Sequence, residues 1–95
     1  MVRHTVLYFL KDNSLENRLA LKAEFLGMKG KISCLKDVEA GVDFVGSHRS
    51  CDVALVCTFE NREALNEYMD HPAHLPVKEY VRGVAEKSIS CDYEF

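Results

Sequence analysis

The order of hydrophobic patterns along the 95 residues predicts an α+β fold, because strand-type and helix-type segments follow one another as β-α-β-β-α-β. This order is typical of the ferredoxin-like fold, in which helices cover one face of a four-stranded antiparallel sheet. A second observation bears on assembly: two of the predicted strands are apolar on both faces, whereas a sheet covered on one side should have one polar face. The length indicates a single domain, residues 1–95.

The first strand is predicted over Val2 to Leu10, which is rich in β-branched and aromatic residues. Both of its faces become apolar toward its end. Ser14 is the expected N-cap of a helix that runs to about Lys31. Apolar residues recur along this helix at helical spacing: Leu15, Leu19, Leu21, Phe25, Leu26 and Met28.

Two further strands are predicted over residues 37–45 and 51–60, joined by a turn at 46–50. The first of them alternates, so that one face is expected to be buried: Val38, Ala40, Val42 and Phe44. The second lacks charge at the centre of both faces. Asn61 is then expected to cap a short helix, and a last strand is predicted over residues 86–93.

The side of the sheet without helices is expected to be apolar. Leu7 and Phe9 of the first strand lie on it, as do Ala54 and Val56 of the third. Something must cover these side chains, and a second copy of the same sheet is the simplest closed solution. We therefore expect a homodimer with a barrel-like core formed by two facing sheets.

The candidate site is the segment 68–76, Tyr-Met-Asp-His-Pro-Ala-His-Leu-Pro, which holds two of the four histidines, both prolines and one of the four tyrosines. Pro72 should end the preceding helix at about residue 70 or 71, because a proline disfavours helical geometry at the residue before it. Pro76 suits the first turn of a following helix, predicted over 77–85. His74 therefore lies in a rigid elbow between two helices.

Composition excludes several partners. The net charge of −3 and the pI near 5.8 argue against nucleic acid or anionic membrane, since both select for a basic face. No segment has the roughly 18 apolar residues of a membrane span, and the N-terminal apolar run is too short for a signal peptide. We expect a soluble, cytoplasmic protein. The four cysteines show no C-x-x-C spacing, which indicates reduced, mostly buried thiols.

Four segments together resemble the stress-responsive A/B barrel domain (Dabb) family of dimeric α/β barrels, over essentially the whole chain: residues 2–11, residues 36–41, residues 56–60 and Tyr68-Met69-Asp70-His71-Pro72-Ala73-His74. The resemblance implies the dimeric ferredoxin-like barrel. Some members are stress-associated proteins without an assigned reaction, and one is a cofactor-free polyketide cyclase. Carried over by position, the catalytic histidine of that cyclase falls on His74, its partner tyrosine on Tyr68 and a pocket-lining histidine on His4.

The chain departs from that cyclase at two places. Its first helix contains no tyrosine, and Val53 stands where the cyclase has a histidine near the start of its third strand. The resemblance therefore carries over the proton-transfer pair but not the shape of the pocket.

The chemistry expected of the site is an intramolecular aldol condensation of a β-keto compound. A neutral imidazole at His74 would remove a proton from carbon flanked by carbonyls, and Tyr68 would orient His74 or steady the enolate. A ligand cavity is expected between helices and sheet, with these residues around it: His4, Val6, Tyr8, Leu55, Phe59, Tyr68, His71 and His74. His71 would equally suit a bond to the last carbonyls of its helix.

No cofactor or metal is required by this chemistry, and the proline between His71 and His74 breaks the helical spacing that a metal pair would use. Three functions stay open: a barrel that binds a small apolar molecule without turnover, a cofactor-free cyclase or isomerase, and a purely structural oligomer. A haem-degrading monooxygenase is a further alternative, which would need a haem-binding histidine and a larger cavity.

Overall fold

The computed structural model describes residues 1–95 and confirms the ferredoxin-like arrangement. Its elements in chain order are β1 (Val2–Leu10), α1 (Leu15–Leu26), β2 (Asp37–Val42), β3 (Val53–Phe59), α2 (Arg62–Met69), α3 (Leu75–Val84) and β4 (Ala85–Glu94). The strand order across the sheet is β2-β3-β1-β4, and every neighbouring pair is antiparallel. None of the helices is both long enough and apolar enough to cross a membrane.

The core lies between the helices and one face of the sheet. Alternation along β1 and β3 directs one apolar row beneath the helices: Val2, Val6, Tyr8, Leu10, Val53, Leu55, Cys57 and Phe59. Helix α1 packs Leu21 and Phe25 on this row, and Met28 and Ile32 of the following segment continue the contact. Each such side chain stabilises the fold by about 1.5–3 kcal/mol relative to an exposed one.

The opposite face of the sheet carries apolar side chains that no helix covers. Leu7 of β1 lies beside Ile89 of β4, and these residues are 36% and 53% exposed. Tyr93 lies on the same face of β4, four residues after Ile89, and is 44% exposed. We call the side chains of Leu7, Phe9, Val56, Ile89 and Tyr93 the helix-free face.

Helix α1 is shorter than predicted. It ends at Leu26 instead of about Lys31, because Gly27 closes the last turn and Gly30 takes a left-handed conformation with φ of +81°. The predicted apolar stripe is also only half buried. Leu21 and Phe25 face the sheet. Three other leucines of the stripe are 38–57% exposed: Leu15, Leu19 and Leu26.

The strands β2 and β3 are shorter than predicted as well. The Asp43 carboxylate accepts a hydrogen bond of 2.7 Å from the Gly46 N–H, and Gly46 has φ of +68°, so the chain turns immediately after Val42. Phe44, predicted on the buried face, lies in this turn and is 95% exposed. The third strand begins at Val53 instead of residue 51.

The other corrections are small. Helix α3 begins at Leu75, two residues earlier than predicted, with Pro76 in its first turn, and β4 follows it without a loop. The last strand extends one residue beyond the predicted range at each end. All four cysteines are free, but only Cys57 is buried, because the other three lie outside the helix-covered row.

Both predicted helix caps are present. The Ser14 hydroxyl accepts a bond of 3.3 Å from the Asn17 N–H, and the Asn61 side-chain oxygen accepts one of 2.9 Å from the Ala64 N–H. We expect Asn61→Ala to lower the free energy of unfolding by about 1 kcal/mol, because it removes the cap of α2. Urea denaturation measures the change, and Asn66→Ala on the exposed side of the same helix is the control. Equal effects of the two variants would contradict the assigned cap.

Candidate functional site

A cavity of about 340 Å³ lies between the sheet and helices α2 and α3. Its volume falls within the roughly 300–1,000 Å³ typical of small-molecule sites. The structure places six of the residues predicted for the site in its lining: His4, Val6, Tyr8, Leu55, Tyr68 and His74. A larger groove of about 470 Å³, between α1 and the start of α3, holds neither of these histidines. The smaller cavity is therefore the candidate site.

Two predicted residues lie outside the lining. The Phe59 side chain is fully buried in the core, where its ring packs against Tyr68 with 5.0 Å between centroids. His71 lies in the elbow, and its Nδ1 accepts a bond of 3.0 Å from the Ala73 N–H. The imidazole of His71 thus holds the turn of the elbow together.

The elbow orients the His74 ring. Pro72 follows the end of α2, and the His74 N–H donates to the His71 carbonyl at 2.9 Å. The His74 Nδ1 lies 3.0 Å from the backbone carbonyl oxygen of Tyr68. Because a carbonyl oxygen only accepts, we assign the proton of neutral His74 to Nδ1. Nε2 then carries the free lone pair of a base.

Burial lowers the pKa of His74 below its ordinary value, because the surrounding side chains exclude the water that would stabilise the imidazolium. The hydrogen bond to the Tyr68 carbonyl opposes this change, and the positive charge of Lys78 adds to it. His74 is therefore a neutral imidazole at physiological pH.

Tyr68 stacks on His74, with 4.0 Å between ring centroids and 21° between the planes. Its hydroxyl lies 3.8 Å from the Met28 sulfur and 3.9 Å from the Cys57 sulfur, both weak partners. The group that orients His74 is thus the carbonyl of Tyr68 rather than its hydroxyl. Burial raises the pKa of Tyr68, so the phenol stays protonated and can donate but not act as a base.

The ring of His4 packs edge-to-face with that of Tyr68, with 6.3 Å between their centroids. Its Nδ1 forms an ion pair or hydrogen bond with the carboxylate of Asp92 on β4. Tyr68 consequently packs against both imidazoles that line the cavity. The sequence patterns do not single out Asp92, although the antiparallel pairing of β1 with β4 places it directly opposite His4.

Four polar lining residues are also absent from the predicted site. Lys78 and Arg82 come from α3, and Ser88 and Ser90 come from the helix-facing side of β4. Their signal in the sequence is indirect: Lys78 and Arg82 continue the spacing of four residues from His74, which places all three along one side of a helix.

The shifted pKa of His74 predicts a stability change with pH. Unfolding returns His74 to its ordinary pKa near ~6.5, so the unfolded chain binds this proton more readily than the folded one. We expect the free energy of unfolding to fall as the pH decreases from about 6.5 toward the folded-state pKa, and His74→Gln should remove this component. Urea midpoints across that range measure it, with His48→Gln in an exposed turn as the control. Parallel pH profiles for wild type and His74→Gln would contradict the prediction.

A four-stranded antiparallel sheet with helices on one face, and a cavity lined by two imidazoles and a phenol, define a ferredoxin-like protein with a candidate small-molecule site. The chain matches the family model described as "Stress responsive A/B Barrel Domain", or Dabb, over residues 2–95. It belongs to this family.

Similar proteins include an enzyme and several solved structures. Olivetolic acid cyclase of Cannabis sativa is 30% identical in an alignment 98 residues long, which covers 97% of this chain and 94% of that protein. An Arabidopsis thaliana protein is 28% identical, with a TM-score of 0.85 and coverage of 100% of this chain and 95% of its own. A protein of Bacteroides fragilis, described as dimeric and ferredoxin-like, is 27% identical, with a TM-score of 0.83 and coverage of 99% and 95%.

The fold is shared more widely than the sequence. Hydroxynitrile lyase of Passiflora edulis has a TM-score of 0.81 at 18% identity, covering 97% of this chain and 90% of that one. At this identity the likeness concerns the fold, and a fold does not define a reaction.

Proposed function

We propose that this chain is a homodimeric barrel that acts without a cofactor on a small, largely apolar β-keto compound, with His74 as general base in an intramolecular aldol cyclisation. The observation that carries the proposal is the fixed imidazole of His74. Its Nδ1 is held by the Tyr68 carbonyl, its Nε2 is left as a free base, and it lines a cavity of small-molecule size.

The electrostatics of His74 suit this role. A carbon between two carbonyls is acidic enough for an imidazole to deprotonate, and general bases of this kind contribute about 10²–10⁴-fold to a rate. Because burial keeps the imidazole neutral, the base is available without prior loss of a proton. The proton taken at carbon is returned by the imidazolium to the oxygen of the attacked carbonyl, so the cycle needs no added acid or base.

Tyr68 and His4 are proposed to support the developing charge. The Tyr68 hydroxyl donates to a thioether, which is a much weaker acceptor than an enolate oxygen. The Asp92 carboxylate holds the ring of His4, so that Nδ1 is occupied and Nε2 remains for a substrate. These two residues would bind oxygen atoms while His74 moves the proton.

The comparison with olivetolic acid cyclase supports a cyclisation. One difference in sequence argues against the same substrate. Val53, at the position of a cyclase histidine, is fully buried in the core and does not line the cavity. A pocket formed by other side chains is expected to select a different β-keto compound.

The homodimer is proposed from the helix-free face. Leu7, Ile89 and Tyr93 are too exposed to belong to a core within one chain, and a facing sheet would bury them. The similar Bacteroides fragilis protein is described as dimeric, which supports the same assembly here.

A substrate panel tests the catalytic part of the proposal. Poly-β-keto thioesters of increasing chain length are incubated with the purified protein, and products are followed by mass spectrometry while binding is measured by calorimetry. We expect a cyclised product from at least one chain length, at a rate above the buffer reaction. Tight binding without turnover would contradict catalysis and leave a ligand-binding barrel, and absence of both would leave a structural oligomer.

A further inference from the structure

The charged side chains that line the candidate cavity have one sign. Lys78 and Arg82 line it, and no aspartate or glutamate does. The chain as a whole is acidic, with 15 carboxylate residues against 12 lysines and arginines. Four further cavities each include at least one carboxylate residue. Of these five cavities, the one that holds His74 is the one with cationic side chains and no carboxylate.

The cations lie toward the open end of the cavity. His74 and Tyr68 are buried, Lys78 is half-buried, and Arg82, Ser88 and Ser90 are exposed. Apolar side chains form much of the remaining wall: Val6, Tyr8, Phe25, Leu55, Val77 and Val81. The cavity thus has a buried basic imidazole, apolar walls and a cationic rim with two hydroxyls.

Helix geometry sets the spacing between the imidazole and the rim. His74, Lys78 and Arg82 follow one another at intervals of four residues, which rise about 6 Å per step along the helix. Lys78 therefore lies about one turn from His74, and Arg82 lies about two turns, or about 12 Å, away. The effect of the Lys78 charge on the pKa of His74 agrees with the shorter separation.

Existing contacts leave both cations available. The Lys78 ammonium donates one bond, of 3.1 Å, to the Met69 carbonyl and keeps two N–H groups. The Arg82 guanidinium pairs with Glu79 on the exposed side of α3, where both side chains are more than 70% exposed. Exposed pairs of this kind contribute little, so a ligand with a better-placed anion can replace Glu79.

We infer that the molecule bound in this cavity carries an anionic oxygen group, a carboxylate or a phosphate, which Lys78 and Arg82 bind at the rim, one to two helix turns from His74. Ser88 and Ser90 supply further hydrogen bonds to it. The inference rests on the proposed function, because it takes the same cavity to be the ligand site. It names the substrate class more closely: an apolar chain or ring with its acid group at the outer end.

Calorimetric titration with three probes tests the inference: para-butylbenzoate, its neutral methyl ester and para-butylphenyl phosphate. We expect wild type to bind at least one anion roughly tenfold or more tightly than the ester, as charge-assisted bonds provide. The preference should weaken as salt is added. Tighter binding of the phosphate would identify a phosphate-bearing ligand, and tighter binding of the benzoate a carboxylic acid.

The double variant Lys78→Gln/Arg82→Gln isolates the rim. It should bind the ester as wild type does and lose the preference for the anions, whereas Arg49→Gln, at an exposed position of the β2–β3 turn outside the lining, should keep it. Three results would each overturn the inference: equal affinity of wild type for acid and ester, a preference for the anions that survives in the double variant, or failure of all three probes to bind.

Cyclisation without an anion preference would overturn the inference and leave the proposed function standing. An anion preference without cyclisation would support the rim site and contradict the proposed catalysis.

Discussion

Replacing His74 by glutamine is expected to lower kcat/KM for cyclised β-keto substrates by about 10²–10⁴-fold, the contribution of a positioned general base. Glutamine is similar in size to histidine, and its amide N–H can still donate to the Tyr68 carbonyl that now binds Nδ1 at 3.0 Å. What it lacks is a basic nitrogen. The loss of rate should therefore come without a matching loss of fold or of ligand binding, which circular dichroism and calorimetry measure.

The pH dependence of the wild-type rate provides an independent check. Because burial lowers the pKa of His74, kcat/KM should stay on its plateau down to a pH below the ordinary histidine value near ~6.5 and fall only beyond it. The control is His48→Gln, which changes a histidine in an exposed turn and should leave rate and pH profile intact. Retained turnover in His74→Gln would show that another group takes the proton.

Local sequence rules predicted the elbow well because its geometry depends on adjacent residues. Pro72 and Pro76 restrict the backbone on each side of His74 whatever the rest of the chain does. The caps at Ser14 and Asn61 follow from the same kind of short-range hydrogen bonding. These features needed no knowledge of the tertiary structure.

Other parts of the site depend on contacts between distant segments, which periodicity does not contain. Asp92 reaches His4 only through the register of β4 against β1, and 88 residues separate the two along the chain. The direction of the Tyr68 hydroxyl is set by packing against Met28, 40 residues away. Phe44 illustrates a conflict between two local signals. The alternating pattern that includes Phe44 favours a strand, but the hydrogen bond from the Gly46 N–H to the Asp43 carboxylate forms a turn that ends the strand before Phe44.

Substituting aspartate for Leu7 is expected to convert the proposed homodimer into a monomer. Leu7 lies near the centre of the helix-free face, and a carboxylate buried there between two sheets without a partner would cost several kcal/mol. Leu15→Asp is the matched control, because Leu15 is 57% exposed on α1 and away from this face. Light scattering after size-exclusion chromatography should give twice the chain mass of 10.8 kDa for wild type and for the control, and the chain mass for Leu7→Asp.

A wild-type mass of one chain would contradict the homodimer, and so would a Leu7→Asp variant that remains dimeric. The same variant also separates assembly from ligand binding. Val6 faces the cavity while Leu7, the next residue of β1, faces the opposite side of the sheet. A folded monomer that still binds its ligand would show that each subunit forms its site alone. Loss of binding in that monomer would instead show that the partner sheet holds β4, whose Ser88 and Ser90 complete the rim, in place.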